Sequence, residues 1–545
     1  MLATMPDRES VLYPSWHDPL NPLQSEVGMK RSFTLPYTWL IVCGVVSVLA
    51  GCNRAKTDSA RESGSITEDS TRDAAGTGSA KKGKVPLSTK SEEARTLYDR
   101  GLALSDQLRP HDARQLFQQA AAKDPEFAMA HYQLALNSPT PKESRAHLDQ
   151  AVALSGKASD GERLLILSLQ SGADAQPTKS LEYAKQAAAK YPEDPRAHTT
   201  LGNSYFFGQQ DYTKARDELQ KAIEIDPNFS PAYNMLGYSH RFLGNYPEAE
   251  SAFKKYIALV PNDPNPYDSY AELLMKTGRF DESIVQYRKA LSIDPHFVGS
   301  HFGITSDLIF QGKHDQAIAE TQKMERAGRN DGDRRFAMFT RTLVYVDQGN
   351  ANQALKEMQR QYDLGAGIGD TAAMAGDLIS MGDILLNAGK PDDAKKRYEQ
   401  ALDVQGKSGL SSAVKEDAKL GHHYNLARIA LAKNDVETAK AEAATYLNGA
   451  TAEQNPLRTR QAHELAGTIA LKERKFDQAV GELGQANQQD PYVLYVVALA
   501  YQGKGDKQKA YEMFKQAAES YTLPTLNYAF IRAKAKQQSA AKSTS

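Results

Sequence analysis

Two cysteines, two tryptophans and a net charge of −1 are what this chain of 545 residues has least of. Two thiols cannot build a disulfide framework, and Cys43 lies inside an apolar run, so the mature protein is expected to carry no disulfide. With 66 Lys+Arg against 67 Asp+Glu there is no field of one sign to draw in nucleic acid, and none is expected as a partner. Long Val/Ile runs are also missing. The composition is rich in Ala, Gln, Leu, Lys, Glu and Tyr, which favours helix over sheet and predicts an all-α chain.

What is present near the start is an export signal in outline. From Met29 the chain reads "MKRSFTLPYTWLIVCGVVSVLAGC": a basic head at Lys30 and Arg31, an apolar stretch from Thr38 to Leu49, then small residues. The stretch is about a dozen residues, short of the roughly 20 that a membrane-spanning helix needs. Leu49, Ala50, Gly51 and Cys52 resemble the lipobox of bacterial lipoproteins. That resemblance implies cleavage before Cys52, a diacylglyceryl group on its thiol and an acylated new N-terminus, with no other cofactor. Two or three acyl chains hold a protein on a bilayer where one is marginal, at about 0.8 kcal/mol per buried methylene. The resemblance implies a location on the periplasmic side of a membrane, and Asn53 rather than Asp after the cysteine, by analogy with Gram-negative lipoproteins, favours the outer membrane over the inner. Residues 1–28 carry Asp7, Glu9, Asp18 and Glu26 and several prolines, which no signal needs, so translation is expected to start at Met29. The expected divisions are then an extension at 1–28, a signal peptide at 29–51, and a lipidated cysteine with a disordered linker at 52–90. That linker is Ser, Thr, Gly, Ala, Lys and Asp with hardly a large apolar side chain; as a random coil it spans roughly 35 Å on average.

The middle of the chain is periodic. Pro227, Pro261 and Pro295 stand 34 residues apart and close the phrases "AIEIDP", "YIALVP" and "ALSIDP". Aligned on them, "PAYNMLGYSHRFLGNYPEAESAFKKYIALVP" resembles the tetratricopeptide repeat, with Tyr233, Leu236, Gly237, Ala249, Phe253 and Pro261 at the pattern's marked places. Gly237 and Ala249 are the small residues that let two helices cross closely, and Gly244 with Asn245 permits the turn. Tyr256 stands where a small residue is usual and predicts looser packing there. The phrase recurs in "TLYDRGLALSDQLRPHDARQLFQQAAAKDP", "HELAGTIALKERKFDQAVGELGQANQQDP" and others, degraded between Lys123 and Pro195. The resemblance implies a right-handed α-solenoid of about eleven or twelve helix-turn-helix repeats over 91–522. A solvating capping helix at 523–537 and a disordered tail at 538–545 complete the expected order.

No enzyme signature survives inspection, and the chain is expected not to be an enzyme. "LGAGIGDT" (Leu364–Thr371) has the glycines of a phosphate loop without the strand before it, and joins two repeats. His422 and His423 are adjacent, so their side chains diverge by about 100° on a helix, and one packed with one exposed ring is expected rather than a metal site. The family resemblance implies a concave face lined by the first helix of each pair that holds a peptide segment of another protein. Projected onto that face are Phe206, Phe207, Tyr238, Phe242, Met275 and Phe310, with Asn203, Asn234, Arg241 and Lys276 among them. Aromatic anchors beside Arg and Asn suit a binding surface. The expected function is a membrane-anchored scaffold for other proteins of the bacterial envelope, in assembly, secretion or export. A rival use of the same aromatic groove is binding of an envelope glycan or another ligand.

Overall fold

A short helix pair has one apolar flank on each side and buries both only by stacking on further pairs. In the computed structural model, which describes residues 83–107 and 109–540, that stacking is continuous. The extension 1–28, the signal segment 29–51, Cys52, the linker as far as residue 82 and the tail from 541 lie outside the described residues. The first four pairs are α1 (Glu92–Asp106) with α2 (Pro110–Lys123), α3 (Ala128–Leu136) with α4 (Pro141–Leu154), α5 (Asp160–Ala173) with α6 (Pro177–Lys190), and α7 (Pro195–Asn203) with α8 (Tyr212–Ile225). The next four are α9 (Ser230–Leu243) with α10 (Tyr246–Leu259), α11 (Pro264–Lys276) with α12 (Phe280–Ile293), α13 (Val298–Phe310) with α14 (His314–Ala327), and α15 (Asp331–Asp347) with α16 (Ala351–Gly367). Then come α17 (Thr371–Asn387) with α18 (Pro391–Lys407), α19 (Ser412–Ala432) with α20 (Val436–Ala452), α21 (Pro456–Lys472) with α22 (Phe476–Gly484), and α23 (Pro491–Lys504) with α24 (Lys507–Ala518). A single helix, α25 (Leu526–Ala540), ends the described chain, and no strand occurs among the described residues. The all-α solenoid therefore has twelve pairs, and the degraded stretch after Lys123 resolves into two of them, α3 to α6.

The local chemistry follows the sequence. Gly244 closes the turn between α9 and α10 at φ 80°, a left-handed value that a side chain rarely adopts. In later pairs Asn434 and Arg474 take the same turn at φ 61° and 63°. The "DP" phrases serve in two ways. Asp194, Asp263 and Asp490 cap helices that begin with proline, each accepting a backbone N–H two residues on. Asp226 and Asp294 instead follow a helix end and brace the turn through the N–H of Asn228 and His296. From α15 to α18 the helices lengthen from the 14 residues of α12 to 17, so successive pairs start at Asp331 and Thr371 and the 34-residue proline spacing is lost.

Four expectations need correcting. Residues 83–90 are not part of a loose linker: Val85 N–H donates to Asp194 Oδ2 at 2.9 Å, Ser88 N–H to Glu162 Oε1 at 3.0 Å, and Thr89 Oγ1 to Asp124 Oδ2 at 2.6 Å. This strap crosses the junctions of the first pairs and satisfies two helix-start acids, Glu162 and Asp194, and the acid that ends α2, Asp124. Tyr256 does not loosen its repeat; it is buried, and its hydroxyl accepts from Asn265 Nδ2 at 2.9 Å. The last helix runs to Ala540 rather than 537, so 538–540 are not tail. Nor is that helix merely solvating: Tyr528, Phe530, Ile531 and Arg532 are buried against α24 and α15.

The close crossings depend on the absence of a side chain. A β-carbon on Gly237 would lie 2.5 Å from the Phe253 ring, and one on Gly303 would lie 2.0 Å from Cζ of the buried Tyr287. Gly303→Ala is expected to lower stability by about 1–3 kcal/mol through overpacking, read by denaturant unfolding. Gly156→Ala, with nothing within 4 Å of the added carbon, is the matched control and is expected to leave stability unchanged or slightly raised.

Candidate functional site

The residues projected onto an open concave face are mostly spoken for within the chain. Tyr238 and Met275 are both 0 % exposed, and neither reaches a partner. The Tyr238 hydroxyl donates to Glu272 Oε1 at 2.9 Å, and Arg241 Nη1 donates to Glu272 Oε2 at 3.1 Å. Arg241 is thus a buried counter-ion to Glu272, lying over the rings of Tyr238 and Phe242 at 5.2 and 5.1 Å. Removing it would leave a buried carboxylate unpaired, which typically costs about 3–5 kcal/mol, so its truncation reports on folding rather than binding. Phe206 is buried, standing edge-on to Tyr212 and Phe242 at 5.0 and 5.2 Å, while those two rings stack at 4.7 Å. The aromatic platform that a sugar ring would need is consumed by this mutual packing. Asn234 is buried with its side-chain oxygen unpaired, whereas Asn203, Phe207 and Phe242 remain half-open to solvent.

Lys276 and Phe310 meet the chain's own C-terminal segment. Lys276 Nζ donates to the Ser520 carbonyl at 2.6 Å, and burial with the charge of Arg241 pushes its pKa down to about 8. Tyr521 packs its ring against Phe280 at 5.0 Å and Phe310 at 5.5 Å. Arg532, on α25, makes two hydrogen bonds to Asp347, the first at 2.6 Å, and His314 adds a third at 2.8 Å. Burial works against the charge of Asp347, but these partners outweigh it and hold its carboxyl below the usual range.

The same return of late residues onto early ones runs along the whole array. Lys142 Nζ reaches the Ile368 carbonyl at 3.1 Å, Ser411 Oγ donates to Asp174 Oδ1 at 3.1 Å, and Thr178 Oγ1 donates to the Gln454 carbonyl at 2.7 Å. Arg460 donates to Gln209 O at 2.8 Å and Gln210 Oε1 at 2.9 Å. The second pair thus meets the loop after the eighth, the third the loop after the tenth, and the fourth the eleventh pair. On this seam lies an open cleft of about 440 Å³ lined by Thr178, Gln209, Gln454, Pro456, Thr459, Arg460, His463 and Gln485. Its amides, hydroxyls and one guanidinium suit hydrogen bonding to an extended backbone, and Gln209 Nε2 is buried there without a partner.

Another pattern escaped the reading of the sequence. His198, His301, His423 and His463, each on the first helix of a pair, are joined through Nδ1 to Glu218, Glu320, Glu442 and Glu482 on the second at 2.6–2.8 Å. The signal was available as a His–Glu separation of 19 or 20 residues. In the second pair the acid's place is taken by His147, whose Nδ1 lies 3.4 Å from Nδ1 of His131. Burial lowers the pKa of His131, and burial, His131 and Arg114 push His147 down to about 4. His422 and His423 are both half-buried, which corrects the expected division into one packed and one exposed ring. "LGAGIGDT" ends α16, turns at Gly369 with φ 65°, and caps α17 through Asp370, as a junction does. Among the described residues no helix is long and apolar enough to cross a membrane, and no group of three or more metal-ligating side chains occurs.

Three family models, each described as a tetratricopeptide repeat, match the chain. One covers residues 98–159, 173–228 and 379–440, a second 218–251, and a third 265–297 and 491–521. The chain belongs to the tetratricopeptide repeat proteins, and such repeats make it a scaffold for protein–protein contacts of a kind that is generally not enzymatic. Similar solved structures include a thermophilic repeat protein of Thermus thermophilus, TTC0263, at 23% identity over 39% of this chain and 98% of that one, TM-score 0.27. Another is a repeat protein from Parabacteroides merdae, at 14% identity over 53% and 99%, TM-score 0.32. YrrB, described as having an unusual peptide-binding site, is 18% identical over 34% and 93%, TM-score 0.23. No curated relative matches.

Asp307, on α13, gives the array a pH dependence. It is fully buried with neither carboxylate oxygen hydrogen-bonded, because Ser283 Oγ beside it donates to the Ala271 carbonyl at 2.9 Å. Burial pushes its pKa up to about 8 from 3.8. The folded state therefore binds a proton that the unfolded state releases, and stability falls as pH rises between about 4 and 8. Asp307→Asn is expected to raise Tm at about pH 7–8 relative to the parent, with the gain vanishing near pH 4.

Proposed function

We propose that the chain is a lipid-anchored scaffold of the bacterial envelope. Cys52 carries the acyl chains, the linker gives reach, and the twelve-pair array binds a peptide segment of an envelope protein on the periplasmic side of a membrane, the outer membrane favoured. It performs no chemistry of its own. The observation that carries this reading is the uninterrupted repeat array following a lipobox-like "LAGC". Anchoring suits such a protein, because a docking surface acts by raising the local concentration of what it holds.

The partner's extended segment sits in the seam cleft, where Gln209, Thr459 and Gln485 supply donors and acceptors. The outer surface is a poor alternative: Val285 on α12 and Leu447 on α20 are the large apolar side chains left exposed among the described residues, and they stand on separate helices. The glycan reading loses its support with the burial of Phe206 and Tyr238.

Two measurements test the proposal. Cys52→Ala is expected to move the protein from the membrane to the soluble fraction, and unchanged membrane association would point to an uncleaved helix instead. Capture from solubilised envelope is expected to return a protein that is lost with Thr459→Ala combined with Gln485→Ala and kept with Val285→Ala; retention in both variants excludes the cleft.

A further inference from the structure

Five pairs place a histidine at one equivalent point of the first helix, facing the second helix one residue before its crossing position, which is buried in four of them and half-buried at Ala443. In four of them the facing residue is a glutamate, as at Glu218 before the buried Leu219 and Glu482 before the buried Leu483. In the second pair the facing residue is His147, before the buried Leu148. A glutamate there accepts the imidazole N–H; a second neutral imidazole brings a lone pair and no charge. The two Nδ1 atoms are 3.4 Å apart. Two nitrogens bound to one ion at about 2.1 Å with a tetrahedral angle between them are also about 3.4 Å apart.

We propose that His131 and His147 form a binding site for a borderline divalent transition-metal ion, Zn²⁺, Ni²⁺ or Cu²⁺, which bridges α3 and α4. Imidazole nitrogen suits these ions and not Mg²⁺ or Ca²⁺, which take oxygen ligands. Both rings are half-buried, so one side of the pair is open and water completes the coordination. The nearest charges balance each other: Arg114, which bears on His147, is paired with Glu143 one turn earlier on α4, and Glu143 also accepts from Thr140 Oγ1 at 3.5 Å. That pairing keeps Glu143 from serving as a third ligand while cancelling the repulsion an incoming cation would meet. Binding replaces the hydrogen bond between the two rings with two metal–nitrogen bonds; the proton on the donor ring's Nδ1 leaves to water and that ring's Nε2 takes one up, so each ring stays neutral with its proton on Nε2. The expected consequence is a staple across the pair whose Lys142 also closes the seam onto the Ile368 carbonyl.

The test is equilibrium dialysis of the untagged full chain against micromolar Ni²⁺, with metal analysis and the thermal unfolding midpoint recorded on the same samples. One bound ion per chain and a raised midpoint are expected, and both are lost in His147→Gln and in His131→Gln. Should either variant fail to fold by circular dichroism, the Cu²⁺-loaded parent gives the second reading: its electron paramagnetic resonance spectrum is expected to show superhyperfine splitting from two imidazole nitrogens. Absence of a retained ion, retention unchanged in folded variants, or a spectrum without two nitrogens overturns the proposal and leaves the pair as a hydrogen bond between neutral rings.

Discussion

Every feature of this molecule depends on how closely two helices can approach where they cross. At Gly237 against Phe253 within one pair, and at Gly303 against Tyr287 of the pair before it, a ring occupies the volume that a β-carbon would fill. The crossing turns each pair into a wedge with an apolar flank on both sides, and the flank is covered only by the next wedge. In a stack of such wedges small rotations between neighbours accumulate, and here there are twelve pairs. The array's shape is the sum of many such contacts rather than the product of a single core.

The accumulated rotation brings the chain back upon itself. Early turns carrying Lys142, Thr178, Gln210 and Lys276 receive hydrogen bonds from or give them to late segments around Ile368, Gln454, Arg460 and Ser520. An open spiral leaves such edges in water. Here they form a polar seam that holds a cleft, and the α25 segment covers the edge of α11 to α15 through Tyr521 and Arg532. The inner face is thereby largely filled by the chain's own side chains, and the seam keeps polar groups open to solvent. Closure also accounts for a buried ion pair: Arg532 is matched in charge by Asp347, 185 residues away, where water has been excluded.

The repeat itself was legible in the sequence because it is a local statement: a small residue, an aromatic about sixteen positions on, a turn glycine and a proline. The turn and the crossing at Gly237, Gly244 and Phe253 stand as expected, and so does the number of pairs. What lay beyond reach was the covering of one repeat by another more than 200 residues away. Phe310 and Lys276 looked like groove anchors because nothing within their own repeats covers them; Tyr521 and Ser520 do. Residues 83–90 looked like linker for the same reason, since their composition is polar and their partners, Asp124, Glu162 and Asp194, sit in different pairs. The His–Glu clasps belong between these cases. Their spacing is readable, but a 19-residue separation gains meaning only after the helix boundaries are known.

The central claim is that the array closes on itself, and a distance across the seam tests it most directly. Spin labels at Thr178→Cys and Gln454→Cys, in a chain with Cys43 and Cys52 replaced by serine, flank a hydrogen bond of 2.7 Å. Closure predicts one short distance, no longer than the two label arms. A stack of the intervening pairs without closure, at about 10 Å per pair, would separate the labels by roughly 70 Å, and a distribution centred there would contradict the account.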